Sequence, residues 1–167
     1  MASESKRVIN AGHFSPDTLE FIRLLQKHDV RYVIVGGEAV IFRGHARFTG
    51  HVDFFYATDQ DNAEHLFAAL KEFWQGNIPE IDAAVELESP GYVIQFGRPP
   101  NRIDLLTSVD GLTFQEAWQT RLDIEIVGAD ELRTSLLSLE KLIQNKRAAA
   151  RPKDLDDLAF LEGLRGA

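Results

Sequence analysis

Cysteine is absent from all 167 residues, which excludes disulfides, thiolate metal sites and cysteine nucleophile chemistry. No apolar stretch approaches the roughly 18 residues of a membrane span. The opening MASESKRVINAGH also lacks the continuous apolar segment of a signal peptide. Residues 1–13 therefore read as a flexible polar tail, and the expectation is a cytoplasmic protein with no membrane contact. A net positive charge is missing as well. The formal charge of -8 argues against non-specific binding to duplex DNA, which needs a basic surface.

What is present is ordinary for a globular chain: 44% hydrophobic and 26% charged. That suffices for one domain with a proper core, placed over residues 14–167. The positive charge is unevenly spread. Lys141, Lys146, Arg147, Arg151 and Lys153 lie close together, and Arg43 and Arg47 form a second group. A local phosphate-binding patch on an acidic protein is compatible with this pattern.

Ser15-Pro16-Asp17 is a helix start, with a hydroxyl cap, a proline in the first turn and an acid near the positive end of the dipole. The helix runs to about His28. RYVIV is a continuous β-branched run ended by glycine, hence a buried strand. Gly36-Gly37 breaks it, EAVIFRG fits a two-turn helix, and HVDFFY is the next strand. Thr58 or Asp59 caps a helix through about Trp74. AAVELES reads as a strand, and YVIQFG and RIDLLTS as a hairpin around RPPN. TFQEAWQT is a short helix and LDIEIVG an edge or half-buried strand. Ser138 caps a helix to about Ala149, and Pro152 opens a last one. The order implies one α+β domain, a small mixed sheet flanked by helices with a helical C-terminal part.

Side chains alternate along a strand, so His51 and Asp53 emerge on the same face while Val52 and Phe54 turn to the core. Asp104 alternates with Ile103 and Leu105 on another expected strand. If the two strands are neighbours, Asp53 and Asp104 converge on one cation, with phosphate and water completing its shell. The diglycine would let backbone approach a phosphate, with the following helix N-terminus aimed at it.

These features together resemble the nucleotidyltransferase superfamily of polymerase-β type. The nearest likeness is to small bacterial members related to minimal nucleotidyltransferases and abortive-infection nucleotidyltransferase toxins. The likeness spans about residues 18 to 163 and is carried by Gly36, Gly37, Ala39, Gly44, Arg47, Thr49 and Asp53, then by Lys146, Arg151, Lys153, Asp154 and Asp157. The resemblance implies an NTP with its phosphates near Gly36, Gly37, Arg47 and Thr49. Lys146, Arg151 or Lys153 would reach over from the C-terminal helices. It implies catalytic Asp53 and Asp104, Mg2+ or Mn2+ at His51, Asp53 and Asp104, and transfer of a nucleoside monophosphate to a hydroxyl of a protein, RNA or small molecule.

The departure is His51, where the family carries an aspartate that bridges two metals. Imidazole brings no negative charge and prefers transition metals, whereas magnesium wants oxygen. The alternative is therefore an inactive nucleotide- or partner-binding homologue, with a cognate partner protein in a toxin–antitoxin or defence setting. Plainer roles stand beside these. The diglycine suits a simple turn, Asp53 can pair with Arg47 or Arg102, and Asp104 can form a strand-end salt bridge. Arg151 and Lys153 can pair with Asp154, Asp156 or Asp157. Asp59 and Asp61 read as helix-capping residues.

Overall fold

The computed structural model describes residues 7–91 and 93–166. Most helices begin where side-chain chemistry marks a start. The Ser15 hydroxyl accepts from the Thr18 backbone N–H at 3.1 Å and opens α1 (Pro16–Lys27). The short α2 (Gly36–Phe42) follows directly from a strand, without a side-chain cap. Asp59 caps α3 (Gln60–Phe73), Thr113 caps α4 (Phe114–Gln119) and Ser138 caps α5 (Leu139–Ala149). Proline opens α6 (Pro152–Arg165).

The strands are β1 (Val8–Asn10), β2 (Tyr32–Val35), β3 (His51–Tyr56), β4 (Val93–Phe96), β5 (Arg102–Leu106), β6 (Leu122–Val127) and β7 (Arg133–Leu136). Among the described residues they form one mixed sheet in the order β1-β6-β7-β2-β3-β5-β4. The pairs β1–β6, β2–β7 and β3–β5 are parallel; β2–β3, β4–β5 and β6–β7 are antiparallel.

The architecture is the expected α+β class, with local differences. Within the expected tail, Val8–Asn10 pairs with β6 and Ala11–His13 makes a 3-10 turn; residues 1–6 lie outside the described residues. AAVELES is not a strand: Ala84–Glu88 is a 3-10 helix with Leu87 buried. The hairpin forms, although Tyr92, at its start, lies outside the described residues. LDIEIV alternates in burial and sits between β1 and β7, one place in from the edge. β7 has no counterpart in the sequence reading, because RTSL is short and mostly polar and is held by pairing with β6.

Both sheet faces are covered, which explains the unbroken apolar run in β2. One face packs Ile34, Phe54 and Tyr56 against Phe21, Leu66 and Leu70 of α1 and α3. Phe21 and Phe54 meet edge to face at 5.2 Å, and burying each side chain contributes about 1.5–3 kcal/mol. The other face packs Val33, Val35 and Phe55 against Leu142, Ile143 and Leu161 of α5 and α6. Asp53 has the parity of Phe55, so it emerges on the face that the C-terminal helices cover.

The N-terminal 3-10 turn is tied to α2 by His13 Nε2 and Glu38 Oε2, 2.5 Å apart. The hydrogen bond to Glu38 raises the His13 pKa, with burial opposing. A raised folded-state value means that the stabilisation is complete below the ordinary histidine range and is lost as pH rises through the folded value. His13→Ala is therefore expected to lower Tm more at about pH 5.5 than at about pH 9. An equal loss at both, measured by thermal circular dichroism, would contradict this link.

Candidate functional site

The parallel register of β3 on β5 sets Asp53 beside Asp104, and His51 beside Arg102. Ligating atoms of His51, Asp53 and Asp104 all lie within 4.8 Å of one another. Two acids fifty-one positions apart in the chain thus meet, as expected. Each already has a partner. Arg102 grips Asp104 with both arms of its fork, Nε to Oδ1 at 2.7 Å and Nη2 to Oδ2 at 2.9 Å. Gln95 Nε2 of the edge strand donates to the same Oδ2 at 3.3 Å. His51 Nε2 lies 3.2 Å from Asp53 Oδ2. The hydrogen bond to Asp53 raises the His51 pKa against burial, and the one to Asp104 raises that of Arg102. Of the plainer roles set out for the two acids, the strand-end salt bridge of Asp104 is present. Asp53 pairs with neither Arg47 nor Arg102, but with His51.

The diglycine is filled from behind by the chain itself. Gly36 has φ of 69°, a left-handed conformation that favours glycine, and a Cβ there would overlap Asp53 Oδ2. A Cβ on Gly37 would meet Arg47 Nη2 and Thr49 Oγ1, each at 3.0 Å. The glycines therefore make room for Asp53, Arg47 and Thr49, a use the phosphate-approach reading did not include. Thr49 also donates its hydroxyl to the His51 carbonyl at 3.1 Å, fixing the entry to β3.

The C-terminal cations divide in two. Lys146 does not reach across as a free lysine: it is 4% exposed, with Nζ 3.1 Å from both Asp154 Oδ1 and Asp157 Oδ2. Arg151 also holds Asp154, Nε to Oδ2 at 2.7 Å, but its side chain remains 61% exposed. Lys153 stands exposed at the rim. Burial works against the Asp154 charge, yet hydrogen bonds from Arg151 and Lys146 outweigh it and hold its carboxyl below the usual range. Arg47 Nε approaches Asp157 Oδ1 at 3.3 Å, and His45 reaches Asp156 at 3.3 Å while stacking on Phe160. These contacts pin the 43–50 loop to α6. Asp157 is held there by charge, since neither oxygen completes a well-aligned hydrogen bond.

Two adjoining hollows meet along Gly36, Asp53, Lys146 and Arg151. One, of about 220 Å³, adds Gly37, Arg47, Phe48, Thr49, His51 and Lys153. The other, of about 470 Å³, adds Ser108, Asp110 and Asn145. Asp104 lines neither hollow; it stands behind Asp53 on the sheet, 4% exposed. Asn145, which donates to the Asp110 carbonyl at 2.8 Å, was not singled out in the sequence. Arg102 was considered only as a partner for Asp53. Its spacing of two from Asp104 on a strand was the available signal for their pairing.

The mixed sheet flanked by helices is consistent with a nucleotidyltransferase fold, and comparison with known proteins agrees. Residues 17–162 match the family described as nucleotidyltransferase of unknown function (DUF6036), and the chain belongs to that family. No curated protein matches it. Among the described residues, no helix is long and apolar enough to cross a membrane.

The metal implied by the fold can be tested against these donors. Magnesium takes oxygen ligands in near-octahedral order, while imidazole suits transition metals. Here three of the four carboxylate oxygens of Asp53 and Asp104 already have partners, and one partner is a permanently charged guanidinium. This donor set does not fit a magnesium pair.

The buried Lys146 cluster yields a stability test. Asp154→Ala strips one anion from a buried ammonium, which costs about 3–5 kcal/mol, read by urea unfolding at neutral pH. Because the Asp154 carboxyl is held low, the wild-type advantage is present above the unfolded carboxyl range and fades as pH falls below about 4. A loss under about 1 kcal/mol at neutral pH would show that Asp157 alone satisfies Lys146.

Proposed function

We propose that this chain binds a nucleoside triphosphate in the paired hollows, and that it does so without turning the nucleotide over by two-metal chemistry. The observation that carries the reading is the meeting of Arg47, Arg151 and Lys153 around Gly36 and Asp53. A cluster of cations lining one hollow suits a polyphosphate, with arginine forks matched to its oxygens. Phe48, 78% exposed on the same rim, offers a ring face on which a base can stack.

Transfer of a nucleoside monophosphate to a hydroxyl is the chemistry that family membership suggests, and Asp53 at the junction of the hollows favours it as a second reading. Against it stand His51 in the place of a bridging carboxylate and Arg102 on the second acid. Binding without transfer accounts for both features, so it is preferred.

Calorimetric titration with ATP is expected to show one site per chain. Phe48→Ala should weaken it by about 1–3 kcal/mol, and Lys153→Ala should weaken it and reduce its salt dependence. ATP labelled at the α-phosphate, offered with candidate protein, RNA and small-molecule acceptors, is expected to leave no label on any of them. Label transfer by the wild type, lost in Asp53→Ala, would establish the second reading instead.

A further inference from the structure

The charges at the sheet end form a square. His51 and Arg102 occupy one register row of the parallel β3–β5 pair, and Asp53 and Asp104 occupy the row two residues on, on the same face. Each cationic or basic group holds the acid on its own strand. The contact at Asp104 is the stronger, a bidentate fork at 2.7 and 2.9 Å closed from the edge strand by Gln95.

We propose that Arg102, seconded by His51, is a resident cation that takes the place of a divalent metal at Asp53 and Asp104. The site would then accept a nucleoside triphosphate with no metal ion held on those carboxylates. Two neighbouring carboxylates with little exposure need compensating positive charge if both are to remain ionised. Elsewhere a dication would supply it; here a guanidinium that cannot be deprotonated supplies it permanently. A metal entering between Asp53 and Asp104 would have to displace that fork or sit beside it, and like-charge repulsion opposes both. The positive charge that the phosphates require comes instead from Arg47, Arg151 and Lys153 across the hollow. Arg102 is thus a specificity-determining residue that selects against the metal.

The part concerning nucleotide rests on the reading in the preceding subsection; the part concerning metal does not. The decisive measurement uses the full chain and Mn2+ alone, followed by electron paramagnetic resonance. Wild type is expected to hold no stoichiometric Mn2+ up to about 1 mM. His51→Asp combined with Arg102→Gln is expected to gain one site at least about ten-fold tighter, and adding Asp53→Asn should remove it. Should the double variant lose its circular dichroism spectrum, Arg102→Gln alone is read in the same way. A wild-type Mn2+ site abolished by Asp53→Asn overturns the proposal, as does a folded variant that gains none. In parallel, ATP is expected to bind wild type in EDTA within about three-fold of its affinity with Mg2+, and a loss beyond about ten-fold overturns the proposal. Absence of ATP binding in both buffers would sink the nucleotide reading, leaving the Mn2+ titration to decide the replacement of the metal.

Discussion

Two carboxylates forced into neighbouring positions on parallel strands are the constraint around which this site is organised. Register alone sets Asp53 against Asp104, and their low exposure removes most of the water that would screen them. The surrounding sequence answers that repulsion locally. Arg102 and His51 lie two positions back on the same strands, so they reach the acids along the same face. Gly36 has no side chain because the Asp53 carboxylate occupies the space where one would be. The turn, the strand pair and the charge square are one structural solution.

A second cluster repeats the logic with the signs reversed. Lys146 is buried between Asp154 and Asp157 at the junction of α5 and α6, and Arg47 and Arg151 complete it from the loop and the helix start. Burying an ammonium is tolerable only where paired anions surround it. The cluster therefore fixes the loop that carries Arg47 and Thr49 and the α6 start that carries Arg151, both of which border the hollow. Rigidity at the site comes from this salt network on one side and from the sheet on the other. Arg151 belongs to both roles, since its Nε holds Asp154 while most of its side chain remains open to solvent.

Membership in a family of nucleotidyltransferases does not by itself transfer the chemistry to every member, because function resides in the site and not in the fold. In this chain Arg47, Arg151 and Lys153 border the hollow, whereas Asp53 and Asp104 are already partnered by His51 and Arg102. The unusual feature of this site is that the compensating cation is a side chain, and therefore always present.

Much of the architecture was legible in the chain. Capping residues such as Ser15, Asp59 and Ser138 marked helix starts because a single hydroxyl or carboxylate satisfies exposed backbone donors. The unbroken apolar run of β2 announced a strand covered on both faces. AAVELES misled because its partial alternation does not distinguish a strand from a 3-10 turn, and Val8–Asn10 escaped notice because pairing with distant β6 orders it. The sequence determined which residues are candidates for the site, since the diglycine, the histidine two places before an aspartate and the late basic–acidic run are local patterns. Tertiary structure alone decided which charges meet across elements: that Asp53 lies beside Asp104 on the neighbouring strand, and that Lys146 is buried between Asp154 and Asp157 rather than reaching across. Partner choice among charges depends on distances between strands and helices far apart in the chain, and those are set only when the sheet is paired and the helices are packed.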